Sequence, residues 1–223
     1  MQQNISDLEN RYSNVSDPLE LINLDKKYFE YLLDAIKIDP QNISILIHLG
    51  VLSWEPFHKQ EQAIAYLQKA IEYDPINVEA RFWLAKCFYH DFCDYKNAQI
   101  LLEEALKIDP QRADCLSIFT SIIHDTTKDW NKCIIYLQKA IQSSPDWPQL
   151  YFCLATEYLK VNRIADAEIQ ADKIEKLIPL PVTRVRNGVE YYYETIVTGR
   201  SNKNIQKDLL ELKQEIQNAK LNV

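Results

Sequence analysis

Apolar and small residues recur on one face of successive predicted helices in this chain, and the whole arrangement then repeats. Ala63, Leu67, Ala70 and Ile71 stand at i, i+4, i+7 and i+8, the spacing that lines one side of an α-helix. The same offsets return as Ala98, Leu102, Ala105 and Leu106, and again as Cys133, Leu137, Ala140 and Ile141. Tyr28, Leu32, Ala35 and Ile36 fit the template upstream, and Ala167, Ala171 and Ile174 give a looser copy downstream. Two of the copies share six consecutive letters, Tyr66 to Ile71 and Tyr136 to Ile141.

Each of these segments runs into a proline. Pro40, Pro75, Pro110, Pro145 and Pro179 are separated by 35, 35, 35 and 34 positions, and a period in the mid-thirties marks stacked helical repeats. Asp39, Asp74 and Asp109 directly precede a proline, where steric conflict drives the backbone out of the helical region. Asn42 and Asn77 then stand where a side chain can cap the following helix. That following helix carries its own pattern, a large apolar residue before a small one: Leu49–Gly50, Leu84–Ala85 and Leu154–Ala155. Phe119–Thr120 is the exception.

The ends differ from the repeats. Residues 1–15 read as a short or frayed N-terminal segment. Ser16-Asp17-Pro18-Leu19-Glu20 combines a cap, a first-turn proline and an early glutamate, so a long helix is predicted from there to about Ile38. The repeats occupy 16–181, and 182–223 is expected to form C-terminal capping helices. One of these ends near Gly199; the other covers about Asn204 to Leu221, with Leu209, Leu212, Ile216 and Ala219 along one stripe.

Composition narrows the function classes. Only three glycines occur among 223 residues, which disfavours a β-rich fold and leaves no room for a glycine-rich phosphate loop. The fold class is all-α. A net charge of −7 argues against nucleic acid as a partner, because such binding needs a basic face. No apolar run reaches membrane-spanning length, so no membrane partner is expected. The N-terminal residues lack a signal-peptide pattern. Five cysteines without framework spacing (Cys87, Cys93, Cys115, Cys133 and Cys153) read as reduced thiols of a cytoplasmic protein.

The large–small signature, the alanines and the closing proline together resemble the tetratricopeptide repeat. The residues that carry the resemblance are Leu49–Gly50, Ala63, Ala70 and Pro75; Leu84–Ala85, Ala98, Ala105 and Pro110; Ala140 and Pro145; and Tyr151, Leu154–Ala155, Tyr158, Ala167 and Pro179. The resemblance implies four to five repeats in a right-handed α-solenoid of stacked antiparallel helix pairs. The repeats here are one residue longer than the usual 34. The extra residue is expected between the two helices, around Pro56–Phe57, Phe92–Cys93 and Thr126–Thr127.

In that family the first helices of successive repeats line a concave groove that takes a peptide or a partner helix. The resemblance places Ile47, His48, Val51 and Trp54 on it, then Phe82, Trp83, Lys86 and Tyr89. Ser117, Ile118, Ser121 and His124 follow, then Phe152, Cys153, Thr156 and Leu159. This surface is apolar and aromatic. The lysine–asparagine clamp by which some members hold a carboxylate terminus would need polar groups where Ile47, Val51, Phe82 and Phe152 stand. An apolar or amphipathic protein segment fits better.

Catalytic and metal readings find little support. His90–Asp91 and His124–Asp125 recur about one period apart, a conceivable metal shell, yet they differ by one position in the repeat frame. No HExxH, CxxC or GxSxG motif is present. The expectation is a non-enzymatic interaction scaffold without cofactor or metal. Two alternatives share the fold: a bacterial secretion or assembly chaperone, and a self-assembling module, a homo-oligomer built through the convex face or Tyr191–Tyr193.

Overall fold

The computed structural model describes residues 18–54, 57–177 and 202–221. All regular structure among the described residues is α-helical, and the chain divides into two compact units at Pro110. The first unit holds α1 (Pro18–Ile38), α2 (Ile43–Trp54), α3 (Gln60–Tyr73), α4 (Val78–His90) and α5 (Tyr95–Ile108). The second holds α6 (Ala113–Thr127), α7 (Trp130–Ser143), α8 (Pro148–Lys160), α9 (Ile164–Leu177) and α10 (Asn202–Leu221).

Inside each unit, every helix packs against the next along the chain, and α2 also touches α4. The second helices supply the faces predicted from spacing: Ala63, Leu67 and Ala70 are fully buried in α3, as are Ala98, Leu102 and Ala105 in α5. The caps form where expected. The Asn42 side chain accepts the Ile45 N–H at 3.1 Å and that of Asn77 accepts the Ala80 N–H at 2.8 Å. Asp94 and Asp129 do the same for the second helices α5 and α7, each such cap contributing about 1 kcal/mol.

Between the two helices of each pair one residue takes a left-handed backbone: His58, Cys93, Lys128 and Asn162. From the first helical residue to this position is 15 residues in three pairs (Ile43 to His58, Val78 to Cys93, Ala113 to Lys128) and 14 in the last (Pro148 to Asn162). The additional residue therefore lies before the left-handed position: in the turn after α4, which like α8 has 13 residues, and in the last turn of α6, which has 15. In the last pair Arg163 N–H closes on Tyr158 C=O, five residues back, whereas Lys59 and Asp94 close on Ser53 and Phe88, six back.

Two of the turns that end a repeat are tied by a side chain from the following helix. In α4, Arg81 is buried; its guanidinium donates to the carbonyls of Pro75 and Asn77 and pairs with Glu104 at 3.1 Å. In α8, two periods later, the Tyr151 hydroxyl donates to the Pro145 carbonyl at 2.7 Å. An arginine and a tyrosine thus satisfy the same proline carbonyl in different repeats.

Helix α10 packs on α9 and α8 through its predicted stripe, with Leu209, Leu212 and Ile216 buried. Lys213–Glu175 (2.9 Å) and Lys220–Glu168 (2.6 Å) flank the contact. Exposed pairs of this kind add about 0–1 kcal/mol, so the apolar stripe holds the helix. The expected N-terminal segment 1–15, the helix ending near Gly199 and Tyr191–Tyr193 lie outside the described residues.

Gly50 shows how closely the helices of a pair approach. A Cβ at this position would lie 2.6 Å from Leu67 Cγ, 2.9 Å from Leu67 Cδ2 and 3.4 Å from the Ala63 carbonyl oxygen. Leu67 is fully buried and has no solvent into which to retreat. Gly50→Ala gains about 1 kcal/mol in helix propensity, but overpacking at such a contact costs about 1–3 kcal/mol. Net destabilisation is expected, measured as a lower urea midpoint at unchanged slope; an unchanged or raised midpoint would show that the crossing has room to spare.

Candidate interaction site

The residues that the repeat frame assigns to the candidate face divide sharply by unit. In the first unit Phe82, Trp83 and Lys86 have no exposed surface, and Ile47, Val51 and Trp54 are at most 5% exposed. His48 and Tyr89 are half-buried. Phe82 and Trp83, neighbours along α4, both pack inward, their rings meeting edge to face at 5.2 Å.

Lys86 is the one groove cation that the sequence offered, and it is enclosed instead. Its Nζ sits 5.0 Å from the ring centroids of both Trp54 and Trp83, and a desolvated cation over an indole face gains about 2 kcal/mol. Trp54 donates its indole N–H to Asp91 and lies 6.0 Å from the His90 ring. The first of the two His–Asp pairs is therefore part of an aromatic cluster.

In the second unit the equivalent positions stay partly accessible. Ser117, Ser121, Phe152, Thr156 and Leu159 are half-buried, Cys153 is exposed, and only Ile118 is buried. Ser121 and Thr156 turn their hydroxyls back onto the Ser117 and Phe152 carbonyls, leaving methylene and methyl groups to line the face.

His124 behaves differently from its repeat counterparts. Its ring stacks edge-on against Trp130 at 5.0 Å, and its Nδ1 lies 2.7 Å from Glu157 Oε1. The Glu157 side chain is 6% exposed, and its other oxygen is sealed from solvent without a hydrogen-bond partner. The adjacent Cys133 thiol is pushed up to about 12, by burial first and then by the charges of Glu157, Asp129 and Asp125. Sequence reasoning passed over Glu157, although a signal was there. Counting back by 35 leads to Ile122, Cys87 and Leu52, all buried, so a carboxylate occupies a core position of the repeat. Among the described residues no group of three or more His, Cys, Asp or Glu side chains is arranged to hold a metal ion.

Comparison with known proteins agrees with this geometry. The tetratricopeptide repeat family matches residues 59–118, covering α3 to α5 and the start of α6. Residues 59–118 carry tetratricopeptide repeats. Solved structures share the fold at low identity. The thermophilic TPR protein TTC0263 of Thermus thermophilus is 16% identical over 88% of this chain and 100% of its own, with a TM-score of 0.62. YrrB, described as a TPR protein with an unusual peptide-binding site, is 16% identical over 84% and 91%, with a TM-score of 0.57. MamA of Desulfovibrio magneticus RS-1 is 17% identical over 79% and 98%, with a TM-score of 0.58. No curated protein matches the sequence. Among the described residues no helix is long and apolar enough to cross a membrane.

His48 couples the first unit to pH. Burial lowers its pKa from 6.5 to about 4, and burial lowers that of His90 in the same direction. The unfolded chain takes up the His48 proton near pH 6.5, the folded one only near 4. The associated stability is complete above about pH 6.5 and is lost as pH falls from there through 4. Urea unfolding should show up to about 2 kcal/mol less stability at pH 5 than at pH 7 from this group, and His48→Gln should flatten that part of the slope. An equal slope in the variant would contradict the assignment.

Proposed function

We propose that this protein is a non-catalytic scaffold that holds an apolar or amphipathic segment of a partner protein along α6 and α8 of its second unit. The observation that carries this reading is the contrast between the units. Equivalent first-helix positions are filled by Phe82, Trp83 and Lys86 in one and left partly open around Phe152, Thr156 and Leu159 in the other. Two half-buried apolar side chains flanked by hydroxyl-bearing residues offer an anchor for a large apolar group, and aromatic or aliphatic anchors of this kind dominate interface energy. The tetratricopeptide repeats support the reading, and the peptide-binding site named for YrrB gives a precedent on the same fold.

The test is a random peptide display selection on the full chain, followed by calorimetric titration of the peptides recovered. Wild type should select peptides with spaced apolar anchors. Phe152→Asp or Leu159→Asp should weaken them by about tenfold or more, the size of one hot-spot contact, with far-UV helicity unchanged. Phe82→Asp is not an equivalent probe, because a buried carboxylate in place of Phe82 would unfold the first unit. Peptides that bind the Phe152 and Leu159 variants as tightly as wild type would place the interaction elsewhere.

A further inference from the structure

The buried Glu157 has an incomplete set of partners. One carboxylate oxygen is bonded to His124 of α6, and the other is buried with no hydrogen-bond partner among the described residues. Leaving a carboxylate oxygen dehydrated and unpaired is destabilising, and the three equivalent positions, Leu52, Cys87 and Ile122, show that the repeat needs no carboxylate there. Packing alone therefore gives no reason for it. Its surroundings add negative charge: Asp125 and Asp129 act with Glu157 on the same Cys133 thiol. The partner of this carboxylate, the His124 ring, is itself a residue of the candidate face, and its side chain is 36% exposed.

We infer that Glu157 is a recognition residue for a lysine or arginine of the bound partner segment, which reaches the carboxylate by displacing His124. The inference rests on α6 and α8 being the docking face. In the unbound protein His124 satisfies one oxygen and covers the site. In the complex the incoming cation supplies the donors that the second oxygen lacks, and the exposed imidazole turns out to solvent beside Trp130. The partner's motif is then a set of apolar anchors with one basic residue at a fixed place, and a segment with an acidic residue there is rejected by Glu157, Asp125 and Asp129.

The display selection decides this. Wild type should recover peptides with Lys or Arg at one position among the apolar anchors, and Glu157→Gln should recover apolar peptides without that preference. A selected basic peptide should bind Glu157→Gln about tenfold or more weakly. Replacing its basic residue by alanine should cost wild type the same factor and the variant nothing, the mark of direct coupling. If Glu157→Gln does not fold, His124→Ala serves: uncovering the carboxylate should strengthen binding of the basic peptide, whereas a purely structural pair would leave affinity unchanged or weaker. Peptides that depend on Phe152 yet carry no fixed cation overturn this inference alone. Peptides indifferent to Phe152 and Leu159 overturn the docking face, and this inference with it.

Discussion

Close approach of two helices at a pair of small residues is the constraint on which everything else here depends. Gly50 lies over Ala63 and Leu67 with no space for a methyl group, and Ala85 with Ala98 and Ala155 with Ala167 repeat the pairing with both members buried. At such a distance the side-chain ridges of one helix enter the grooves of the other, and the large residues beside the small ones are pushed into the core. The period follows from this. Each pair must turn at a left-handed residue, cross at its small residues and stop at a proline before the next begins.

One pair departs from the rule and shows how it can be relaxed. Thr120 stands at the position of Gly50 and Ala85, and Cys133 at that of Ala63 and Ala98. Both are buried, the Thr120 hydroxyl donates to the Leu116 carbonyl at 2.8 Å, and the Cys133 thiol sits 3.7 Å from the Thr120 carbonyl. Two side chains grow by a few atoms, and each polar atom finds a carbonyl. The same locality carries Glu157 and His124, so the second unit concentrates its polar departures where its open face lies. The first unit does the opposite, enclosing its unusual Lys86 between two tryptophans.

Much of the architecture was legible in the letters because it is set by local rules. Asn42 and Asn77 cap as expected, the long helix ends at Ile38, and the extra residue of the 35-residue repeats falls near Phe92–Cys93, in the turn after α4, and near Thr126–Thr127, in the last turn of α6. Burial on the candidate face was not legible. The repeat frame puts Phe82, Trp83 and Lys86 on that side of α4, but whether a side chain there meets solvent depends on what the rest of the tertiary structure brings over it, which no local pattern encodes. Lys86 illustrates the difficulty, since a lysine reads as surface until Trp54 is known to lie 5.0 Å away. Glu157 was legible in principle, through comparison of equivalent repeat positions rather than through any motif.

Amide hydrogen exchange along the full chain tests the repeat architecture most directly. Protection should rise and fall with the period. Slow exchange is expected in helix centres such as Leu46–Leu52, Ala80–Cys87, Cys115–Ile122 and Leu150–Glu157, and fast exchange in the turns around His58, Cys93, Lys128 and Asn162. Uniform protection across those turns, or rapid exchange through the centre of any of these helices, would contradict helix pairs locked at their small residues.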